Sequence, residues 1–239
     1  MGCRVPRGVR IRYHLPWVHT IHPVTTVTTG RPRLRGVSHQ IAFFVSLVAG
    51  GVLIAVAPEG TPRLEVIVYA LSLSGLLGVS ALLHRRDWPP KTRQALRRLD
   101  HSMIFILIAG TYTPIAGILL DGGVRTAVLL TVWIGALGGV AFTIAWIDAP
   151  KWVAALPYVA LGWVAVIASP QLIDRIGGDG FGLIALGGVL YTIGAVVYAR
   201  KRPDPSPAVF GYHEVFHLFV VAAAAVHYAV IAAYALPLA

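Results

Sequence analysis

Long apolar runs separated by short polar stretches dominate the chain. Seven segments reach the roughly 20 mostly apolar residues a membrane-crossing helix requires. They lie at about 38–57, 65–84, 101–120, 125–146, 152–169, 181–199 and 213–236. None alternates apolar with polar positions as a barrel strand does, and hydrocarbon demands that each span satisfy its own backbone hydrogen bonds, so all seven are predicted to be helices. The connections are short, with neither a second domain nor a clear internal repeat. The expected architecture is an all-α, polytopic bundle of seven transmembrane helices over residues 37–239, preceded by a basic, disordered cytoplasmic tail over residues 1–36.

Composition supports the membrane assignment. Of 239 residues, 56% are hydrophobic and only 13% charged, too little polar surface for a soluble globule. Cys3 is the sole cysteine, which excludes an intrachain disulfide framework and any site built on several thiolates. A metal would therefore rely on histidine and carboxylate.

The net charge of +10 reads as a topology signal rather than a nucleic-acid footprint, because the basic residues fall between apolar runs. Arginine and lysine number seven in the tail, six between His84 and Asp100, one at Lys151 and three at Arg200–Arg202; Arg63, Arg125 and Arg175 alone lie on the opposite side. Cytoplasmic loops carry the basic excess. The N-terminus is thus expected inside the cell and, after seven crossings, the C-terminus outside.

This direction gathers the rare ionisable residues of the spans. Span two ends at His84, span three starts just after Asp100, and span seven opens with His213-Glu-Val-Phe-His217. Residues four apart share a helical face, so His213 and His217 can both reach one ion. Ser80 stands one turn before His84. The pattern predicts one zinc ion per chain held by His84, His213 and His217, with the fourth position left to water as in catalytic sites. Asp100 would accept a hydrogen bond from that water or from a ligand imidazole, and Ser80 would add a hydroxyl. His39 and His101 could line the same cavity; Thr111 and Thr113, just before the kink expected at Pro114, could touch a ligand. His14, His19 and His22 are irregularly spaced in the tail.

His-Glu-x-x-His is also the spelling of the zinc metalloproteases, whose Glu is a general base. Such a protease needs a further ligand downstream, where the chain offers only His227. Ten residues on, it lies about 15 Å deeper and some 80° away around the helix. Glu214 is instead expected to be an interfacial or helix N-terminal carboxylate.

Ser80-x-x-x-His84, Leu99-Asp100-His101-Ser102, Ile108-Ala-Gly-Thr-Tyr-Thr-Pro114 and His213-Glu-Val-Phe-His217 together resemble the hemolysin III family. That family looks like the bacterial branch of the progestin and adipoQ receptors, within a larger group containing alkaline ceramidases. Pro32-Arg-Leu-Arg-Gly36 and His39 are similar to its entry into span one. The resemblance covers about residues 32–236. It implies seven helices with a cytoplasmic N-terminus, zinc at the positions of His84, His213 and His217, and supporting roles for Ser80 and Asp100.

The expected activity is zinc-dependent hydrolysis of lipid amides or esters at the inner leaflet of a bacterial plasma membrane, in the service of lipid homeostasis. Membrane lipids are the expected partners, and nucleic acid is not. The rival readings are a receptor or sensor in which zinc is structural, a pore-forming cytolysin, and an intramembrane metalloprotease. The topology has a direct check in a Cys3→Ser background. Asp87→Cys should react with an impermeant maleimide only from the cytoplasmic side, and Gly123→Cys only from the outside; reversed labelling would refute the charge count.

Overall fold

The computed structural model describes residues 31–239, and every described span is helical. Helix α1 covers Val37–Val56, α2 Thr61–Arg85, α3 Pro90–Leu119 and α4 Gly122–Ala145. Helix α5, Lys151–Gly162, continues through a 3-10 stretch, Trp163–Ala168, into α6, Ser169–Arg200. Helix α7 covers Tyr212–Val230 and widens into a π-helical turn at Ile231–Ala235. Prolines occupy the first turns of α2, α3 and α6, where the missing N–H would have had no intrahelical partner.

Among the described residues, six helical stretches are long and apolar enough to cross a membrane. The segments expected at 152–169 and 181–199 fall within one of them, the 50-residue stretch Lys151–Arg200. It is interrupted at Gly177, whose φ of 72° and ψ of 174° are not helical; the positive φ suits a residue without Cβ. Trp163 Nε1 nevertheless donates to Thr192 Oγ1 at 3.0 Å, whereas an unbroken helix would hold these residues about 43 Å apart. The chain therefore doubles back at Gly177. Tyr112 fixes the 3-10 stretch by donating to the Gly162 carbonyl and accepting from the Ala165 N–H, both at 2.7 Å.

Two further boundaries depart from expectation. Helix α3 starts at Pro90, not near residue 101, because its first three turns carry Lys91, Arg93, Arg97 and Arg98, and apolar length detects only the part suited to lipid. Residues 31–36, expected in the disordered tail, form a turn held by hydrogen bonds from Arg33 N to Ala208 O and from Leu34 N to Val209 O, each 3.0 Å. Cys3, His14, His19, His22 and the rest of the expected tail lie outside the described residues.

Sequential neighbours α1 to α4 pack pairwise, α6 packs along α7, and α7 returns to α1. Helix α3 is central, touching α2, α4, α5, α6 and the C-terminal π turn. The usual distribution of polarity is inverted along α1, where Ile41, Phe44, Val45 and Val48 are 60–71% exposed while His39 and Ser46 are buried. Such a surface suits hydrocarbon outside and polar contacts inside.

Small residues let the helices approach closely. A Cβ on Gly139 of α4 would come within 2.2 Å of the Phe105 ring on α3, whereas one on neighbouring Gly138 would meet nothing within 4 Å. Gly139→Ala is therefore expected to destabilise the protein by about 1–3 kcal/mol, and Gly138→Ala to be neutral or slightly stabilising. Thermal unfolding in one detergent checks the pair; equal melting temperatures would contradict this packing.

Candidate metal centre

Three separate helices bring imidazoles to one end of the bundle. His84 ends α2, His213 and His217 occupy the first two turns of α7, and His39 lies in the first turn of α1. One nitrogen from each of His84, His213 and His217 lies within 4.8 Å of the others, so the three can hold a metal ion. The His84 and His213 Nε2 atoms are 3.2 Å apart. Two nitrogens bound tetrahedrally at 2.0–2.1 Å from one ion would be separated by about 3.3–3.4 Å, so this pair already has the spacing of ligands. The buried Nδ1 of His217 has no hydrogen-bond partner among the described residues.

Asp100 lies beside this group, its Oδ2 3.9 Å from His84 Nε2. That is too long for a direct hydrogen bond and leaves the carboxylate facing the histidines without engaging them. Ser80, one turn before His84, sits against the Asp100 carboxylate. Ser80, Asp100, His213 and His217 all border one largely apolar cavity, which runs inward to Trp163, Tyr191 and His227. Every residue singled out for the metal site or its support therefore lies at this end.

His39 and His101 also line the cavity. The His39 ring stacks on His217 with centroids 3.7 Å apart and planes 7° from parallel. Parallel stacked rings do not converge on a common ion, which sets His39 apart from the other three. His39 is 2% exposed; neither ring nitrogen makes a hydrogen bond among the described residues, the His217 main chain being the polar group it approaches. Thr111 lines the cavity and donates to the Leu107 carbonyl; Thr113 donates to that of Ala109, satisfying backbone near Pro114. His227 is in the cavity wall, with Nε2 3.2 Å from the Ile184 carbonyl, away from the three-histidine group.

Glu214 is a helix N-terminal carboxylate, but a buried one, 2% exposed. Its Oε2 accepts from the Gly211 N–H at 2.8 Å, capping α7, and its Oε1 accepts from Arg35 Nε in an ion pair. Asp204 Oδ1 takes the Tyr212 N–H at 2.8 Å. The Arg35 pair could not be read from spacing, since its members stand 179 positions apart. The available signal was a carboxylate in an apolar run, which calls for a partner. Next to Arg35, Gly36 has φ 77°, and a Cβ there would lie 2.7 Å from the His84 Cβ. The turn before α1 thus presses on one histidine while gripping the helix that carries the other two.

The fold and site define a helical membrane protein with a three-histidine, one-carboxylate centre at the head of an internal cavity. The sequence model of the haemolysin-III related family matches residues 27–228, and the chain belongs to that family. It is similar to Hemolysin-3 of Bacillus cereus, 34% identical over 204 residues that cover 84% of this chain and 90% of the relative. Hemolysin-3 homolog of Bacillus subtilis (strain 168) is 32% identical over 192 residues, 79% and 87% of the two chains. Monocyte to macrophage differentiation factor of Homo sapiens is more distant, 25% identical over 195 residues, 80% and 79% of the two chains.

Removing one member of a buried ion pair leaves the other uncompensated, at a cost of about 3–5 kcal/mol. Glu214→Ala is expected to lose stability on that order, Arg35→Ala somewhat less because its side chain is 18% exposed, and the double variant less than the sum. Unfolding in detergent checks this cycle. Additive losses would show that the two side chains are not coupled.

Proposed function

We propose that this protein is a zinc-dependent lipid hydrolase of the bacterial plasma membrane, acting on lipid amides or esters at the inner leaflet and serving membrane lipid homeostasis. The observation that carries this reading is the position of the three histidine nitrogens, clustered at the polar end of a cavity that is otherwise apolar. A largely buried three-imidazole set suits zinc better than the hard cations that prefer oxygen. In this reading one zinc is held per chain by His84, His213 and His217. The N-terminus is cytoplasmic and the chain crosses the membrane seven times, the reversal at Gly177 dividing Lys151–Arg200 into two passes. Residues 37–239 form one membrane domain.

Zinc, when bound, supplies Lewis acidity and a water whose pKa is lowered to about 7. The residues around it supply the rest. Asp100 takes the proton released as water attacks the lipid carbonyl and returns it to the departing amine or alcohol. Ser80 holds the Asp100 carboxylate in place. The apolar cavity wall accommodates the acyl chain and excludes bulk water from the reacting group. Glu214 takes no part as a base, because both of its oxygens are occupied by Gly211 and Arg35. The same centre without turnover would make a lipid-responsive receptor, a reading separated from the first by the activity measurement alone.

Purified wild-type protein is expected to contain about one zinc per chain and to cleave a ceramide-like or acyl lipid in proteoliposomes. His84→Ala and His213→Ala should lose the metal. Asp100→Asn should retain it and lose about 100-fold or more in rate, the usual contribution of a positioned proton-transfer group. Zinc affinity should weaken as pH falls toward and below about 6, because ligating imidazoles must be neutral. Stoichiometric zinc retained by both histidine variants would refute the ligand set. Zinc without turnover in wild-type protein would favour the receptor.

A further inference from the structure

Lys151 begins α5 at the same end of the bundle as the three histidines. It is half-buried, and its ammonium lies 4.3 Å from the Tyr198 ring centroid and 4.4 Å from that of Tyr212. It donates to the Tyr212 hydroxyl at 2.6 Å. Two ring faces and a phenol fix the position of the ammonium without neutralising it, and an ammonium carries three donors.

No carboxylate pairs with Lys151 among the described residues, and the carboxylates around this end are engaged elsewhere. Asp87 pairs with Arg31, Asp148 with Arg97 and Glu214 with Arg35. Asp204 caps α7, and Asp100 has Ser80 beside it. Most other basic side chains without a carboxylate partner are exposed, Arg98 being the exception. The charges that act on Lys151 most strongly are themselves positive, Lys201, Arg35 and Arg97. A partly desolvated cation in a positive surround is costly unless an anion joins it.

The position adjoins the cavity through Tyr198. Tyr198 lines it, with His213 5.9 Å away and His101 6.4 Å away, centroid to centroid. A chain lying in the cavity with its polar end at the histidines would bring that end beside the Tyr198 ring and the ammonium behind it.

We propose that Lys151, held by Tyr198 and Tyr212, is an anion subsite at the rim of the cavity, taking a carboxylate or phosphate at the polar end of a bound lipid. The assignment rests on reading the cavity as a lipid site. It adds that the lipid is anionic, either as it enters or as the carboxylate released by hydrolysis. No bond is made or broken at Lys151, which recognises charge.

The test is equilibrium binding of three single-chain probes, palmitate, hexadecyl phosphate and hexadecanol, to full-length protein in phosphatidylcholine nanodiscs. Wild-type protein should bind at least one anionic probe about tenfold or more tighter than hexadecanol. Lys151→Met, or Lys151→Gln if the first does not fold, should remove that preference while leaving hexadecanol affinity and metal content unchanged. Lys151→Arg should retain it. Preference for palmitate would assign the subsite to a carboxylate, and preference for hexadecyl phosphate to a phosphate headgroup. Hexadecanol binding with no anion preference would overturn the subsite and leave the lipid cavity standing. An anion preference that survives Lys151→Met would place charge recognition at another group and overturn it as well. Failure of all three probes to bind would overturn the lipid reading and the subsite together.

Discussion

Hydrocarbon offers no hydrogen bonds, so every polar side chain within a span must find its partner inside the protein or at the boundary. The ion pair between Arg35 and the buried Glu214 shows what this constraint builds. Glu214 is one residue after His213 and three before His217, and its two oxygens bind the α7 cap and the turn before α1. Adjacent Gly36 lies against His84 at the end of α2. One carboxylate thus ties α7, which carries His213 and His217, to the turn that lies against His84 of α2.

The rest of the interior follows from the same exclusion. Apolar residues of α1 face outward while His39 and Ser46 face in, and Thr111 and Thr113 return their hydroxyls to helix carbonyls. The polar groups that remain unengaged are concentrated around the cavity. Among the described residues, His39 and His217 present buried nitrogens without partners, and no carboxylate pairs with Lys151. Groups left costly by the surrounding medium mark where a metal or ligand would be bound, and they share one end of the bundle with Asp100.

Much of this was legible in the sequence because membrane crossing imposes a length and a composition that can be counted. The span expected at 38–57 falls within one residue of α1 at both ends, and that at 125–146 within three residues of α4. The His213–His217 spacing, together with the side assigned to His84 and Asp100 by counting basic residues, was enough to bring the site residues to one place. Hydropathy could not show that α3 extends to Pro90, because its first three turns are basic and hold no apolar run. Nor could it show that the reversal between the segments expected at 152–169 and 181–199 falls at Gly177. The Arg35–Glu214 pair and the Tyr198–Lys151–Tyr212 stack join residues far apart in sequence, and their members look individually like ordinary interfacial side chains.

The central claim is that three imidazoles from α2 and α7 hold one zinc ion beside Asp100. X-ray absorption at the zinc edge of the purified wild-type protein tests it most directly. The account predicts three imidazole nitrogens at about 2.0–2.1 Å with one light oxygen donor completing a four-coordinate site, and loss of that spectrum in His84→Ala. A protein that takes up no zinc, or a zinc spectrum unchanged by that substitution, would contradict it.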